Sequence, residues 1–344
     1  MQLPPLSLYI HIPWCVQKCP YCDFNSHGQK GRIPETEYVS HLLDDLEQDL
    51  KYVQGRQLTS IFFGGGTPSL LSEQAIADIL AGVEQRIPFN DNIEITLEAN
   101  PGTLEYNKFS GFAKGGVNRI SIGIQSFEQE KLTQLGRIHD ASEAVQAAGF
   151  ASQAVNTFNI DLMHGLPNQT TEQALEDLNK AIALNPTHLS WYQLTIEPNT
   201  QFHSKPPVLP QDETLWQIQQ QGHELLKQAG YIQYEISAYT KGDVKCQHNL
   251  NYWRFGDYLG IGCGAHGKIT LPQQHKIIRT EKVKHPKGYM DLTKPYLYKH
   301  WQVEVDDLPF EYFMNRLRLK EPFLLVEFER SEERRVGKEC RSRW

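Results

Sequence analysis

Short apolar runs rich in β-branched and aromatic residues alternate along the chain with longer stretches in which apolar residues recur every three to four positions. The first pattern predicts buried strands and the second amphipathic helices. Strands are predicted at 6–12, 60–64, 93–99, 119–124, 155–162 and 188–194, with helices at 35–52, 72–86, 103–114, 141–148 and 171–184 between them. Several of these helices begin on Ser or Thr, whose side-chain oxygen caps the free amides of a first turn. Strands and helices in alternation imply βα units on a parallel sheet. Six units are fewer than the eight of a full barrel, so the expected fold class is α/β, a partial (β/α)6 TIM-like barrel open at one side.

After Glu197 the pattern changes. PNTQFHSKPPVLPQD reads as a connecting loop. A helix at 212–228 follows, then a strand in YIQYEIS and a glycine-rich segment, YLGIGCGAHGK. From Leu308 the helical pattern LPFEYFMNRLRL opens a second small unit. The expected division is a barrel over 1–200, a C-terminal extension over 201–300, the start of a truncated helical domain over 301–330, and a tail over 331–344. That tail, charged and without apolar periodicity, is expected to be disordered or foreign to the protein, leaving Cys340 without function.

Composition narrows the function. The 344 residues carry a net charge of −7, and no Lys/Arg block precedes the last residues, so nucleic acid is not an expected partner. The N-terminus lacks a basic leader pattern, and no apolar run reaches the ~18 residues of a membrane span. A cytoplasmic protein is expected. Six cysteines, three of them clustered, suit a reducing compartment better than a disulfide framework.

Cys15, Cys19 and Cys22 sit in YIHIPWCVQKCPYCDFNSH, on a loop leaving the first strand. Thiolates suit zinc or an iron–sulfur cluster, and four would close such a site. Only three are here, so a cubane on this loop would keep one iron open to an exchangeable ligand. A zinc knuckle completed by His27, or three solvent-facing thiols, are the alternatives. The turn FGGGTP follows the second strand, and glycines there let backbone approach a ligand closely. Glu98, Gln125 and Asp161 fall at strand ends, with Arg137 a dozen residues beyond Gln125. A carboxylate there suits ribose hydroxyls or an ammonium group, and Arg suits a carboxylate, although ordinary barrel-mouth polarity would also account for them. On its residues alone, His248 in HNLNYW reads as a capping or core histidine, beside the flat aromatic faces of Tyr252 and Trp253.

The C-x-x-x-C-x-x-C spacing with GGGTP, LEANP, IGIQSF, QLGRIHD and NIDLMHGLP resembles the coproporphyrinogen-oxidase-like radical S-adenosylmethionine (SAM) family over about residues 8–319. The resemblance implies a [4Fe-4S] cluster on Cys15, Cys19 and Cys22. It also implies SAM contacts from Tyr9, Gly66, Thr67, Glu98, Gln125, Arg137 and Asp161. Oxygen-independent coproporphyrinogen III dehydrogenases of that family carry a further Cys where this chain has Phe24. CDFNS and HNLNYW instead resemble its haem-chaperone branch, which implies haem with His248 as a neutral iron ligand, Tyr252 and Trp253 against the porphyrin face, and Cys246 and His266 as further candidate iron ligands. The implied function is to bind haem and pass it to an acceptor protein, with no catalytic residue assigned. Oxidative decarboxylation of coproporphyrinogen propionates is the alternative. A membrane contact made through the acceptor and a homodimer complete the expected partners. Plainer roles are expected elsewhere: His11 and Trp14 orienting the loop, His164 capping a strand end, and the 212–228 helix packing on the barrel.

Overall fold

The computed structural model describes residues 3–29 and 31–323. The strands of its main sheet are β1 (Leu6–Ile12), β2 (Leu58–Gly65), β3 (Phe89–Ala99), β4 (Arg119–Gln125), β5 (Thr157–His164), β6 (His188–Gln193), β7 (Ile232–Glu235), β8 (Ala238–Thr240), β9 (Asp257–Ile261), β10 (His266–Leu271), β11 (Lys276–Lys282) and β12 (Leu297–Gln302). Their spatial order is β12-β11-β10-β9-β1-β2-β3-β4-β5-β6-β8-β7, an open sheet with β12 and β7 at its edges. From β1 to β6 each strand pairs in parallel with the next, as the alternating pattern requires. Helices cover one face and the barrel interior meets the other, so β1 reads LSLYIHI with nearly every position buried.

Helix caps follow the local sequence. Ser72 accepts from the Ala75 amide, and Asp140 and Thr170 form reciprocal capping boxes with Glu143 and Gln173. The helix expected at 141–148 continues to Ala154, because Gly149 lies on an open face where alanine-rich turns carry it through. The helix expected over 103–114 is two pieces, Thr103–Tyr106 and Phe109–Lys114. The break falls at Lys108, whose ammonium turns to the carbonyls of Ser69, Leu70 and Leu71.

The C-terminal half extends the same sheet in both directions. β9 lies parallel beside β1, and β10 to β12 add antiparallel strands beyond it. A buried ion network pins this wing to the helix Glu35–Asp49: the Lys282 ammonium reaches Asp45 at 2.5 Å and Asp49 at 2.7 Å, and Tyr289 donates to Asp45 at 2.7 Å. HNLNYW forms the short helix Gln247–Trp253, which packs against β1, β2 and β9. Glu94 accepts from the Gln247 and His248 amides at 3.0 and 3.1 Å, satisfying donors that a helix start leaves free. Among the described residues no helix is long and apolar enough to cross a membrane. The tail 331–344, with Cys340, lies outside the described residues.

Candidate functional site

The cysteine loop leaves β1 and returns through a two-residue ribbon, Trp14–Cys15 beside His27–Gly28. This ribbon clamps both ends of the loop, with the His27 amide on the Pro13 carbonyl at 2.7 Å and the Gln29 amide on Cys15 at 2.9 Å. The turn after β2 then docks on the loop: the Gly66 amide donates to Ile12 at 2.7 Å and the Thr67 amide to Trp14 at 2.8 Å. A Cβ on Gly66 would lie 2.5 Å from the Trp14 carbonyl oxygen, so the approach demands glycine. Burial raises the thiol pKa of Cys15 and Cys22, and the Thr67 hydroxyl partly opposes it at Cys15. His11 and Trp14 do orient the loop, His11 through its Nε2 bond to the Asn25 carbonyl and Trp14 by packing edge-on to Tyr38.

Strand ends bring the predicted polar residues to the same mouth. Cys15, Cys19, Cys22, Gly66, Thr67, Glu98, Gln125, Arg137 and Asp161 all line one cavity of about 600 Å³. Burial, with the Asp161 charge, lifts the Glu98 carboxyl to about 8, while the Gly65 amide pulls it the other way. Asp161 is raised by burial, offset by bonds from Ser121 at 2.9 Å and Asn159 at 2.8 Å. The Arg137 guanidinium spans the mouth, reaching Asn100 at 2.7 Å, the Gly123 carbonyl at 2.5 Å and the Cys19 sulfur at 3.7 Å. Gln125 has a left-handed backbone, φ +70°, and its side chain accepts from the Tyr192 hydroxyl at 2.8 Å. Such backbone strain in a non-glycine residue is common at ligand sites. Asn100, Ser121 and Tyr192 were not among the predicted residues, although Asn100 and Tyr192 lie in the strand-end stretches LEANP and HLSWYQL.

Tyr9 stands apart from these. It lines a second chamber of about 810 Å³ with His11, Phe62, His248, Tyr252 and Tyr258. The chambers adjoin, since Glu98, Asp161, Phe24 and Asn249 line both. His248 is buried, and its ring bonds to Ser60 through Nδ1 at 3.0 Å and to Tyr252 through Nε2 at 2.7 Å. Burial, aided by the nearby Arg119 charge, lowers its pKa to about 3, so the imidazole is neutral. Trp253 faces the first chamber with the Arg318 guanidinium 4.3 Å above its ring. His266 borders the second chamber, whereas the Cys246 thiol turns to Glu94 at 3.6 Å. His164 ends β5 and packs on Trp191 at 4.3 Å between ring centres. The His27 Nε2 is already engaged with Asn25 and the Lys284 carbonyl, each at 3.3 Å, which weighs against the zinc knuckle.

Among the described residues, no three His, Cys, Asp or Glu side chains converge tightly enough to hold a single metal ion. A four-iron cubane spreads its sulfur ligands around the cluster, which suits thiols sharing one cavity wall.

A three-cysteine loop on the first strand of a parallel βα sheet, faced by a glycine turn and strand-end carboxylates, defines the radical SAM class, and residues 9–181 match the Radical SAM superfamily. The chain is 61% identical over 329 residues to the heme chaperone HemW of Escherichia coli (strain K12), covering 95% of this chain and 86% of that protein. It is also 61% identical over 333 residues to heme chaperone HemW of Haemophilus influenzae, with the same coverage of each. Among solved structures, coproporphyrinogen III oxidase (HemN) from Escherichia coli, a radical SAM enzyme, shares the fold with TM-score 0.81 and 23% identity, covering 96% of this chain and 79% of that one. The chain belongs to the HemW family of radical SAM proteins.

Proposed function

We propose that this protein is a haem chaperone: it binds haem beside a [4Fe-4S] cluster and SAM, and passes the haem to an acceptor protein. The observation that carries the reading is the adjacency of two chambers, one walled by the cysteines and strand-end polar groups, the other by the aromatic and histidine side chains of the HNLNYW helix. Relatives named heme chaperone at 61% identity support it over coproporphyrinogen oxidation, as does Phe24 in place of a fourth loop cysteine.

Cys15, Cys19 and Cys22 would hold the cluster, which when bound with SAM supplies one-electron chemistry. Gly66 and Thr67 have their amides spent on the loop, so they would meet SAM through the Gly66 carbonyl and the Thr67 hydroxyl, which also holds the Asn100 side-chain amide at 3.1 Å. Glu98 and Asp161 suit an ammonium or ribose hydroxyls, and Arg137 suits a carboxylate. Gln125 offers an amide already oriented by Tyr192, and Tyr9 lies on the second-chamber side of Glu98.

For haem, His248 would be the residue to hold the iron: Ser60 fixes its Nδ1 side, and its Nε2, now bonded to the Tyr252 hydroxyl, would supply the ligand nitrogen. Tyr252 would flank the ring from within the second chamber, with Trp253 approaching from the first-chamber side. A thiol-rich loop and buried free cysteines fit work in a reducing cytoplasm.

Haem titration of the reconstituted protein against His248→Ala tests the ligand, and a fall in affinity of about tenfold or more is expected. Unchanged affinity removes His248. Anaerobic incubation with dithionite, SAM and coproporphyrinogen is expected to give no protoporphyrinogen; its formation overturns the chaperone reading.

A further inference from the structure

The second chamber reaches down the barrel to Arg119, at the N-terminal end of β4. This arginine is only 3% exposed, yet its Nε makes no hydrogen bond within the described residues. Its ion-pair partner among the described residues is Glu94, and at 3.9 Å that contact is loose. Glu94 divides its oxygens among the Gln247 and His248 amides and the Cys246 thiol as well. Asp161, the other nearby anion, is taken up by Ser121 and Asn159. His188 is committed to Asn159 at 2.6 Å and Tyr234 at 2.8 Å. A guanidinium carries five donors, and burying even one of them without a partner, here the Nε–H, costs more than burying it against a carboxylate.

One side of the chamber is aromatic, formed by Phe62, Tyr9, Tyr252 and Tyr258, while Glu98 and Asp161 line it toward the first chamber. About 810 Å³ lies within the range of pockets for drug-sized ligands. An aromatic wall above a buried cation whose Nε–H lacks a partner matches a flat ring bearing an acid group. We infer that the second chamber receives a carboxylate-bearing porphyrin, with Arg119 taking one of its carboxylates. The inference rests on the haem reading above and gives that ligand its place and its anionic anchor. Arg119 is then a binding residue that discriminates ligands by their acid groups, independently of the iron.

The test titrates the full reconstituted chain with metal-free protoporphyrin IX and with its dimethyl ester, which keeps the ring and removes both charges. Wild type should bind the diacid about tenfold or more tightly than the diester. Arg119→Gln should lower diacid affinity to the diester level and leave diester affinity and iron content unchanged. Arg119→Met, which keeps the stem without a stranded polar end, gives the same reading if the glutamine variant does not fold. Equal affinity of wild type for the two porphyrins overturns the inference, as does a full preference surviving either substitution. Haem bound without that preference sinks the anchor alone. The preference without haem binding sinks the haem reading and leaves the anchor standing.

Discussion

The Arg137 guanidinium lies 3.7 Å from the Cys19 sulfur while its other nitrogen holds the Asn100 side-chain carbonyl at 2.7 Å. One side chain therefore ties the cysteine loop to the ends of β3 and β4. A delocalised cation with a planar fork can do this while still presenting donors to a carboxylate, which a lysine ammonium cannot.

Arg137→Lys should accordingly keep the fold and the iron but weaken SAM binding by roughly tenfold to a hundredfold, the worth of a charge-assisted hydrogen bond. Calorimetric titration of SAM into reconstituted protein measures it. Wild-type affinity in the variant would show that Arg137 serves the loop alone.

Gly66→Ala should be far more damaging than its one methyl suggests. The new Cβ meets the Trp14 carbonyl at 2.5 Å and the Ile12 carbonyl at 2.9 Å, both backbone atoms that cannot move aside without shifting the loop. A loss of about 1–3 kcal/mol, the usual cost of overpacking, is expected in denaturant unfolding. Iron retained after reconstitution should fall with it, and full iron at unchanged stability would contradict the docking described for this turn.

Glu98 gives a pH signature. Its carboxyl is raised to about 8 from an unperturbed 4.5, so at neutral pH the ligand-free site holds an extra proton. If Glu98 receives an ammonium or other cation, binding must expel that proton, and affinity for SAM should rise with pH up to about 8. Calorimetry in buffers of different ionisation enthalpy should record proton release at pH 7, lost in Glu98→Gln. The same raised value means that the contribution of Glu98 to the ligand-free fold is fully present below pH 4.5 and is lost progressively as pH rises from there to about 8.

Lys282→Met should destabilise by about 3–5 kcal/mol, because it leaves Asp45 and Asp49 buried beside each other without their cation. Adding Asp45→Asn should recover part of the loss. Thermal melts of the two variants compare them directly, and a double variant no more stable than Lys282→Met would rule out charge as the cause.

Periodicity was enough to read the six parallel strands and their order, because each β run is short, apolar and bounded by capped helices within a few dozen residues. It was not enough for the wing formed by β9 to β12. Within YLGIGCGAHGK the glycines obscure two strands, and Gly260 exists there because a Cβ would meet the His266 backbone at 1.9 Å, a contact no local pattern encodes. Nor did the predicted single helix at 103–114 anticipate that Lys108 would be drawn to three carbonyls of a segment nearly forty residues earlier.

By itself, then, the sequence determined the local chemistry: three thiols at a spacing that leaves a cluster one ligand short, glycines after β2, and acids and an amide at strand ends. Those facts depend on residue type and short spacing. Only the tertiary structure decided that the HNLNYW helix would close the barrel on Glu94, more than 150 residues away in sequence, that Tyr9 and Arg119 would face a chamber separate from most of the predicted SAM residues, and that His248 would be held between Ser60 and Tyr252. The physical reason is burial: a side chain's partners and its titration are set by what long-range packing brings against it once water is excluded.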